Sequence, residues 1–223
     1  MKKLSLVVFA ILFISANAFS QFYGGIKGGI VFSNFTGGHL GYKYKLLGEV
    51  GGTVGFMAEY VLNDYISLAP ELFFSRKGTM IDRYDSTLIV RTDMYHLGYI
   101  EIPLLVKFRY SLDAIDLYCK LGPYFGLIGQ GKASEKGVGI FAIPPVPIEQ
   151  FFNDRNQEYT TFDVGWYLGT GAAIDFGPGK FLLEFHYDIG FQDIAQDEPS
   201  PYYYKNMGKN RASVIEVGYL YEF

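Results

Sequence analysis

Hydrophobic and polar residues alternate along most of the chain after residue 20 with a period of two, and helical periodicity is scarce. In the segment 99–110, apolar side chains recur at every second position from Ile100 to Tyr110, and Glu101 and Lys107 stand between them. The segments 181–192 and 214–223 repeat the pattern. Because successive side chains of a β-strand point to opposite faces, the pattern predicts strands with one apolar and one polar face.

Eight strands are predicted, and the connections between them alternate in length. The predicted strands cover residues 22–36, 49–61, 65–78, 96–110, 115–127, 161–176, 180–192 and 211–223. The short connections, rich in turn-forming residues, are 62–64, 111–113 and 177–179. The long connections are 37–48, 79–95, 128–160 and 193–210. Short turns on one side and long loops on the other are typical of transmembrane barrels.

The position of the glycines distinguishes a membrane barrel from a soluble one. The polar face carries Gly25, Gly29, Gly55, Gly122, Gly126, Gly165, Gly169, Gly171 and Gly218. A face in water has no need of glycine, which weakens a strand, whereas the narrow interior of eight strands needs small residues. The bulky apolar face, which includes Trp166, suits lipid. The sequence therefore predicts an all-β fold: an eight-stranded antiparallel up-and-down transmembrane β-barrel with short periplasmic turns and long extracellular loops.

The first twenty residues have the features of a secretory signal peptide. Lys2 and Lys3 precede the apolar run 4–14, and small residues at Ala18 and Ser20 favour cleavage before Gln21. The alternative, a membrane anchor helix, requires a longer apolar run. We expect a signal peptide at 1–20, a barrel domain at 21–223 and a location in the outer membrane of a Gram-negative bacterium.

Composition excludes several classes of protein. Without Lys2 and Lys3 the net charge falls from −4 to −6, which argues against a nucleic-acid-binding protein. A single cysteine, Cys119, cannot form an intramolecular disulfide. The run 126–132 is similar to a phosphate-binding loop but has Ala133 where Ser or Thr is needed. The three histidines lack the spacing of metal ligands. We expect no cofactor and no metal.

Charges of both signs fall on the polar face and predict a polar network inside the barrel. Its predicted members are Lys27, Glu59, Glu71, Glu101, Lys107, Arg109, Lys120, Asp175, Glu184, His186, Asp188 and Glu216, with Lys77 on the same face. Buried charges are tolerated when they are paired and hydrogen-bonded. A network that plugs the lumen is the preferred interpretation, and a gated ion path is the alternative.

The last strand carries an apolar residue at every second position up to an aromatic terminus. Tyr219, Tyr221 and Phe223 form this pattern. It resembles the C-terminal signal that the insertion machinery of bacterial outer-membrane barrels reads. We therefore expect that machinery and outer-membrane lipid as partners.

Several segments resemble the PorT-like outer-membrane β-barrel proteins of the Bacteroidota. They are Gly25–Gly29 with Phe32–Phe35, Ser67–Ser75 with Lys77–Gly78, Tyr99–Lys107, and Gly122–Gly126. The resemblance covers nearly all of the mature chain and implies an OmpA-like eight-stranded barrel in the outer membrane. It implies little about activity, although one branch of the family belongs to a protein-secretion apparatus.

Function is expected in the outer loops, because binding residues concentrate on loops held by a rigid scaffold. The segment 143–147 is rich in proline, and Tyr202, Tyr203 and Tyr204 offer an aromatic contact surface for protein or glycan. The preferred hypothesis is a non-enzymatic structural or surface-interaction protein. The alternatives are a small-conductance pore or secretion component, and a lipid-acting enzyme that uses His186.

Overall fold

The computed structural model describes residues 22–37, 44–85, 88–137, 146–148, 162–193 and 208–223. The predicted signal peptide, its cleavage site and the aromatic run 202–204 lie outside the described residues. The strands are β1 (Phe22–Gly37), β2 (Tyr44–Asn63), β3 (Ile66–Asp85), β4 (Leu88–Leu112), β5 (Ile115–Gly137), β6 (Val146–Ile148), β7 (Phe162–Phe176), β8 (Gly179–Asp193) and β9 (Gly208–Glu222).

Eight long strands close into an antiparallel barrel, as the sequence predicts. Consecutive strands pair from β1 to β5. The circuit then runs from β5 to β7, from β7 to β8 and from β8 to β9, and β9 pairs with β1 to close the barrel. The three-residue β6 adds to the edge of β5 at Ala133–Glu135. In the described part of the chain, no helix is long and apolar enough to cross a membrane.

The outward face of the strands forms an apolar belt. Side chains that point away from the lumen and are largely exposed include Ile26, Phe56, Leu104, Trp166, Leu183 and Val217. The belt ends at Val50, Phe74 and Ile100 on the side away from the short turns. A barrel with apolar residues outside and charged residues inside is the arrangement that a bilayer requires.

Four strands continue beyond this belt, and here the predicted strand ends are wrong. The segment 79–95, predicted as a loop, contains the end of β3 and the start of β4, which pair as far as Asp85 and Leu88. Residues 44–48 and 128–137 are also strand. Above the belt the outward face no longer meets lipid and carries Lys45, Asp82 and Thr92, so the apolar alternation stops while backbone pairing continues.

The rim of the barrel is split between β1 and β2. Their pairing ends at Ser33 and Glu49. Beyond that point β1 continues beside β9 as far as Gly37 and Gly208, and β2 continues beside β3 as far as Tyr44 and Arg83. We call this gap the rim seam, and the paired parts of β2 to β5 above the belt the sheet extension.

An irregularity in β2 changes which side chains face outward in the sheet extension. Between the pairs Gly48–Thr79 and Thr53–Ser75, β2 contains one residue more than β3. An extra residue exchanges the two faces of a strand. The side chain of Glu49 consequently contacts Arg76 and His96, which lie on the outward face of β3 and β4.

Candidate functional site

The lumen is closed at the end of the short turns by an apolar plug. Its buried members are Tyr23, Met57, Val61, Tyr118, Ala173, Leu182 and Leu220. They come from β1, β2, β5, β7, β8 and β9, so the plug spans the barrel. A water-filled channel cannot pass through closely packed apolar side chains.

Above the plug lies a network of charges centred on Lys27, which we call the lower layer. The Lys27 Nζ atom lies 2.8 Å from Glu184 Oε1, 2.8 Å from Glu216 Oε2 and 3.1 Å from Glu71 Oε2. It also lies 4.7 Å above the centre of the Phe73 ring. The ammonium group is thus surrounded by three carboxylates and an aromatic face, which compensates the loss of hydration.

Two further lysines complete the lower layer. Lys120 Nζ lies 2.8 Å from Glu71 Oε1 and 2.6 Å from Glu184 Oε2, so these two carboxylates bridge Lys120 and Lys27. The hydroxyl groups of Tyr118 and Tyr167 donate hydrogen bonds to Glu184. The third lysine, Lys107, donates to Glu59 Oε2 at 2.6 Å.

A second network, the upper layer, lies nearer the sheet extension. Lys77 Nζ contacts Glu101 Oε1 and lies 2.8 Å from Asp188 Oδ2. The rings of Tyr99 and Tyr124 lie 5.4 and 5.5 Å from the same nitrogen. The upper layer therefore places one ammonium group between two carboxylates and two aromatic rings.

Asp163 also belongs to the upper layer and is fully buried. The Tyr124 hydroxyl donates to Asp163 Oδ2 at 3.0 Å, and Asn210 Nδ2 lies 3.4 Å from the same oxygen. No ammonium group among the described residues forms an ion pair with Asp163 within 4.0 Å, because Lys77 is engaged by Glu101 and Asp188.

Between the two layers lies a cavity of about 10 Å³. Its lining residues are Thr53, Phe73, Ser75, Glu101, Pro103, Tyr124, Tyr167, His186 and Asp188. That volume is about what one water molecule needs. Ser75 and His186 both border it, but Ser75 Oγ is bonded to Thr53 Oγ1 at 3.0 Å. No lipid or peptide substrate fits such a space.

His186 is held as a member of the network. Its Nδ1 atom lies 3.3 Å from Glu216 Oε2, and its ring stacks on Tyr167 with ring centres 4.2 Å apart. Glu184, His186 and Glu216 lie close enough together to hold a metal ion. Lys27 Nζ, however, lies 2.8 Å from both carboxylates, so an ammonium group already supplies the positive charge there.

The structure places ten of the twelve predicted network residues in the lumen. The other two, Arg109 and Asp175, lie at the rim beside the short turns. Arg109 Nε donates to the Asp64 carbonyl oxygen at 3.3 Å, and the Asp175 side chain is 70% exposed and 3.1 Å from Lys180. Both fall on the inward face near a strand end, where that face is already open to water.

Sequence reasoning missed Asp163 and Asn210. Asp163 lies at the second position of β7 and inside the predicted strand 161–176, where it shares the inward face with Gly165 and Gly169, whereas Asn210 falls in the predicted loop 193–210. The lumen-facing tyrosines Tyr99, Tyr124 and Tyr167 alternate with apolar residues, and that alternation was the available signal for them.

A second ionisable cluster lies outside the belt, on the outward side of the sheet extension. The carboxylate of Glu49 contacts His96 Nδ1 and lies 3.9 Å from Arg76 Nη2. Burial raises the pKa of Glu49 to about 7, although the Arg76 charge opposes this shift. Burial and the charge of Arg76 lower the pKa of His96.

The last strand presents its aromatic residues outward. Tyr219 donates a hydrogen bond to the Phe176 carbonyl oxygen at 3.0 Å. The Phe223 side chain is 78% exposed, and its ring lies 5.8 Å from that of Phe22 on the neighbouring strand. These residues form part of an aromatic rim near the short turns.

A family profile described as outer membrane protein beta-barrel domain matches residues 17–196. The chain belongs to this family. The match covers most of the barrel, so the outer-membrane location expected from the inverted pattern agrees with family membership. No curated protein matches the chain.

Solved structures of small outer-membrane barrels are similar to this fold. OprG of Pseudomonas aeruginosa is 12% identical with a TM-score of 0.50, over 90% of this chain and 95% of OprG. Neisserial surface protein A is 15% identical with a TM-score of 0.46, over 91% and 97%. Ail of Yersinia pestis, solved with the heparin analogue sucrose octasulfate, is 16% identical with a TM-score of 0.42, over 91% and 99%. At these identities the similarity concerns the fold alone.

Proposed function

We propose that this protein is a non-conducting, non-enzymatic outer-membrane barrel that presents its sheet extension and outer loops to a protein or glycan outside the cell. The observation that carries the proposal is the closed lumen. The apolar plug, the lower layer and the upper layer fill it, and the cavity between the layers holds about one water molecule.

The sheet extension supplies the contact surface. It holds four paired strands beyond the belt, with cross-strand pairs such as Lys45–Asp82, Asp82–Thr92 and Thr92–Lys136. Backbone pairing keeps such a surface rigid, which lowers the entropic cost of binding. In small transmembrane barrels the longer connections face outward from the cell, and this general orientation supports an extension that lies outside.

The enclosure of His186 supports a role without catalysis. A lipid-acting enzyme needs its base within reach of the substrate. His186 is buried among Glu216, Tyr167 and Asp188, and the cavity beside it admits nothing larger than water. We propose accordingly that its role is to hold the network together.

The same proposal includes export by a signal peptide, insertion through the last strand and membership of the PorT-like barrels. A signal peptide at 1–20 with cleavage before Gln21 would deliver the chain to the periplasm, and Tyr219, Tyr221 and Phe223 would direct insertion of the last strand. The resemblance of residues 99–107 and 122–126 to the PorT-like barrels supports an origin in the Bacteroidota.

Current recordings test the closed lumen. We expect the refolded full-length mature barrel in a planar bilayer to show no stable unitary currents. The Lys77→Met variant, which leaves Glu101 and Asp188 without their ammonium partner, should also be non-conducting, because the apolar plug and the lower layer are unchanged. Stable unitary currents from the wild-type barrel that change in Lys77→Met would overturn the proposal in favour of a pore.

A shortened extension tests the contact surface. Residues 81–93 are replaced with Asn-Gly, a two-residue turn that suits the pair Met80–Met94. We expect cells that display the wild-type barrel to bind at least one of three immobilised probes, a sulfated polysaccharide, a mucin and a fibrillar matrix protein, and the shortened barrel to lose that binding. Equal folding is checked by the mobility of unboiled protein on a gel. Binding to none of the probes, or unchanged binding after shortening, contradicts the proposal.

A further inference from the structure

The two charged layers of the lumen differ in their balance of charge. In the lower layer four carboxylates face three lysines: Glu59, Glu71, Glu184 and Glu216 against Lys27, Lys107 and Lys120. His186 lies between the layers, with Nδ1 3.3 Å from Glu216 Oε2 and Nε2 3.7 Å from Asp188 Oδ1. In the upper layer three carboxylates, Glu101, Asp163 and Asp188, face Lys77 alone among the described residues. The upper layer therefore has two carboxylates more than lysines among the described residues.

Three oxygen atoms of the upper layer are buried without a hydrogen-bond partner. They are Asp163 Oδ1, Asn210 Oδ1 and the Tyr99 hydroxyl oxygen. Asp163 and Asn210 are fully buried, and Tyr99 is nearly so. Buried polar atoms in native proteins are nearly always satisfied by protein, water or an ion. Oxygen atoms of Glu59, Glu71 and Glu216 in the lower layer also lack a hydrogen bond, but each of these carboxylates pairs with a lysine. Among the described residues, Asp163 differs from them because it forms no ion pair with a lysine.

These oxygens come from three strands that converge at one place. Asp163 and Asn210 are neighbours, because Asn210 Nδ2 lies 3.4 Å from Asp163 Oδ2 and donates a hydrogen bond to it. Tyr99 joins them across Gly126: a side-chain carbon added to Gly126 would lie 3.5 Å from Asp163 Cβ and 3.6 Å from Tyr99 Cδ1. Gly126 thus lies between Asp163 Cβ and the Tyr99 ring, and its missing side chain allows these two residues to lie close together.

The chemistry of this donor set favours a hard cation. A carboxylate, an amide carbonyl and a phenol offer oxygen only, which suits Ca²⁺ and disfavours the nitrogen- and sulfur-seeking transition metals. Water can satisfy the hydrogen bonds but provides no positive charge for the carboxylates that have no lysine partner. A divalent cation with its remaining waters satisfies both requirements.

We propose that the upper layer binds a calcium ion through Asp163 Oδ1 and Asn210 Oδ1, beside the Tyr99 hydroxyl. The ion compensates the charge that Lys77 leaves unbalanced and joins β4, β7 and β9 near the outer rim. The site differs from the group of Glu184, His186 and Glu216, whose centre is occupied by the Lys27 ammonium group. The proposal is independent of the surface role described above.

Terbium luminescence tests the site directly, because Tb³⁺ replaces Ca²⁺ and is excited by nearby tyrosine rings. The mature barrel is refolded in neutral detergent at neutral pH, with Tb³⁺ present during refolding so that the buried site can fill. We expect saturable emission on tyrosine excitation that Ca²⁺ displaces. In Asp163→Asn we expect at least about a tenfold loss of apparent affinity, since the charged ligand is removed while its shape is kept.

The matched control is Asp175→Asn, which removes a carboxylate at the rim beside the short turns, where the side chain is 70% exposed. Its emission should equal that of the wild type. A wild-type barrel without saturable emission, or equal emission from Asp163→Asn, overturns the proposal.

A measurement on the wild-type protein keeps the test decisive if Asp163→Asn does not fold. We expect the urea midpoint of unfolding to be higher after refolding with Ca²⁺ than after refolding with a chelator, because a ligand that binds only the folded state stabilises it. A midpoint that does not respond to Ca²⁺ indicates that water or protons, and no cation, satisfy the upper layer.

Discussion

Each lysine of the two layers except Lys107 contacts more than one carboxylate, so single residues carry large energetic consequences. Glu71 and Glu184 each contact both Lys27 and Lys120. Removal of one partner leaves the remaining charges buried without compensation, which costs more than the pair itself contributes. The network is therefore best tested by removing a cation and keeping its volume.

Lys27→Met should destabilise the barrel by about 3–5 kcal/mol, because three carboxylates lose their shared ammonium group. The measurement is the urea midpoint of unfolding in detergent or lipid vesicles. Lys180→Met is the control: Lys180 pairs with Asp116 at 2.5 Å at the partly exposed rim. Because Lys180 is 17% exposed and its second partner Asp175 is 70% exposed, water can replace part of the lost contact, and the loss should be smaller than in Lys27→Met. Equal losses in the two variants would show that the lower layer is hydrated.

Glu49 gives a dependence on pH with a definite sign. Its folded pKa of about 7 lies above the ordinary value of 4.5, so the folded protein holds the extra proton between these values. The contribution of Glu49 to the free energy of unfolding should therefore decrease as the pH rises from about 4.5 to 7. His96 acts in the opposite sense, because its pKa is lowered on folding.

The contribution of Glu49 is isolated in a His96→Gln background. There, urea unfolding at a series of pH values should show the decrease with Glu49 present and its loss in Glu49→Gln. A decrease that persists without Glu49 assigns the titration to another group.

At the residue scale, the sequence predicts which side chains point into the lumen but not which of them pair. Alternation placed Lys27, Glu184 and Glu216 on the inward face, and the structure brings them together from three different strands. Their contacts depend on the stagger between strands, which no local pattern encodes. Alternation also puts Asp163 on the inward face of the predicted strand with Gly165 and Gly169, but its pairing with Tyr124 and Asn210 depends on neighbouring strands.

At the element scale, the closing pair of strands depends on glycine. A side-chain carbon at Gly29 would overlap the Ile215 carbonyl oxygen of β9, whereas one at Gly52, on β2, would have its nearest neighbour at 3.8 Å. The first and last strands thus approach too closely for any side chain at Gly29.

Gly29→Ala should therefore impair closure, and Gly52→Ala should leave it intact or slightly improved, because alanine restricts the unfolded chain more than glycine does. The measurement is the fraction of unboiled protein that migrates as the folded species after refolding. Equal yields from the two variants would show that β9 moves away from β1 at little cost.

The ends of the strands illustrate where alternation stops being informative. Inside the belt one face meets lipid and the other meets the lumen, so the pattern predicted β4 across Tyr99–Tyr110 correctly. Above the belt, residues such as Asp82 and Thr92 hydrogen-bond to each other on the outward face. Cross-strand polar pairs hold strands together as well as apolar ones do, but they leave no periodic signature.

At the scale of the whole molecule, the fluorescence of the single tryptophan can test whether the apolar face of the barrel points outward into lipid. Trp166 lies on the outward face of β7 and is 43% exposed. In vesicles its fluorescence should be blue-shifted, strongly quenched by lipids brominated on their acyl chains and little affected by iodide in the buffer. Strong quenching by iodide would place the apolar face in water and refute the membrane arrangement.

The rim seam has a consequence for how such a protein can change. Because β1 and β2 separate above Ser33 and Glu49, the sheet extension is joined to the barrel through β2 to β5 and shares no backbone pairing with the rim formed by β1 and β9. Hydrogen bonds of Ser33 with Gly78 and of Thr79 with Asn34 cross the seam, so lengthening, shortening or exchanging the extension beyond Thr79 leaves the pairing of β1 with β9 unchanged. The barrel can therefore stay constant while its sheet extension varies. The extension is in this way open to selection by new partners and to grafting in the laboratory.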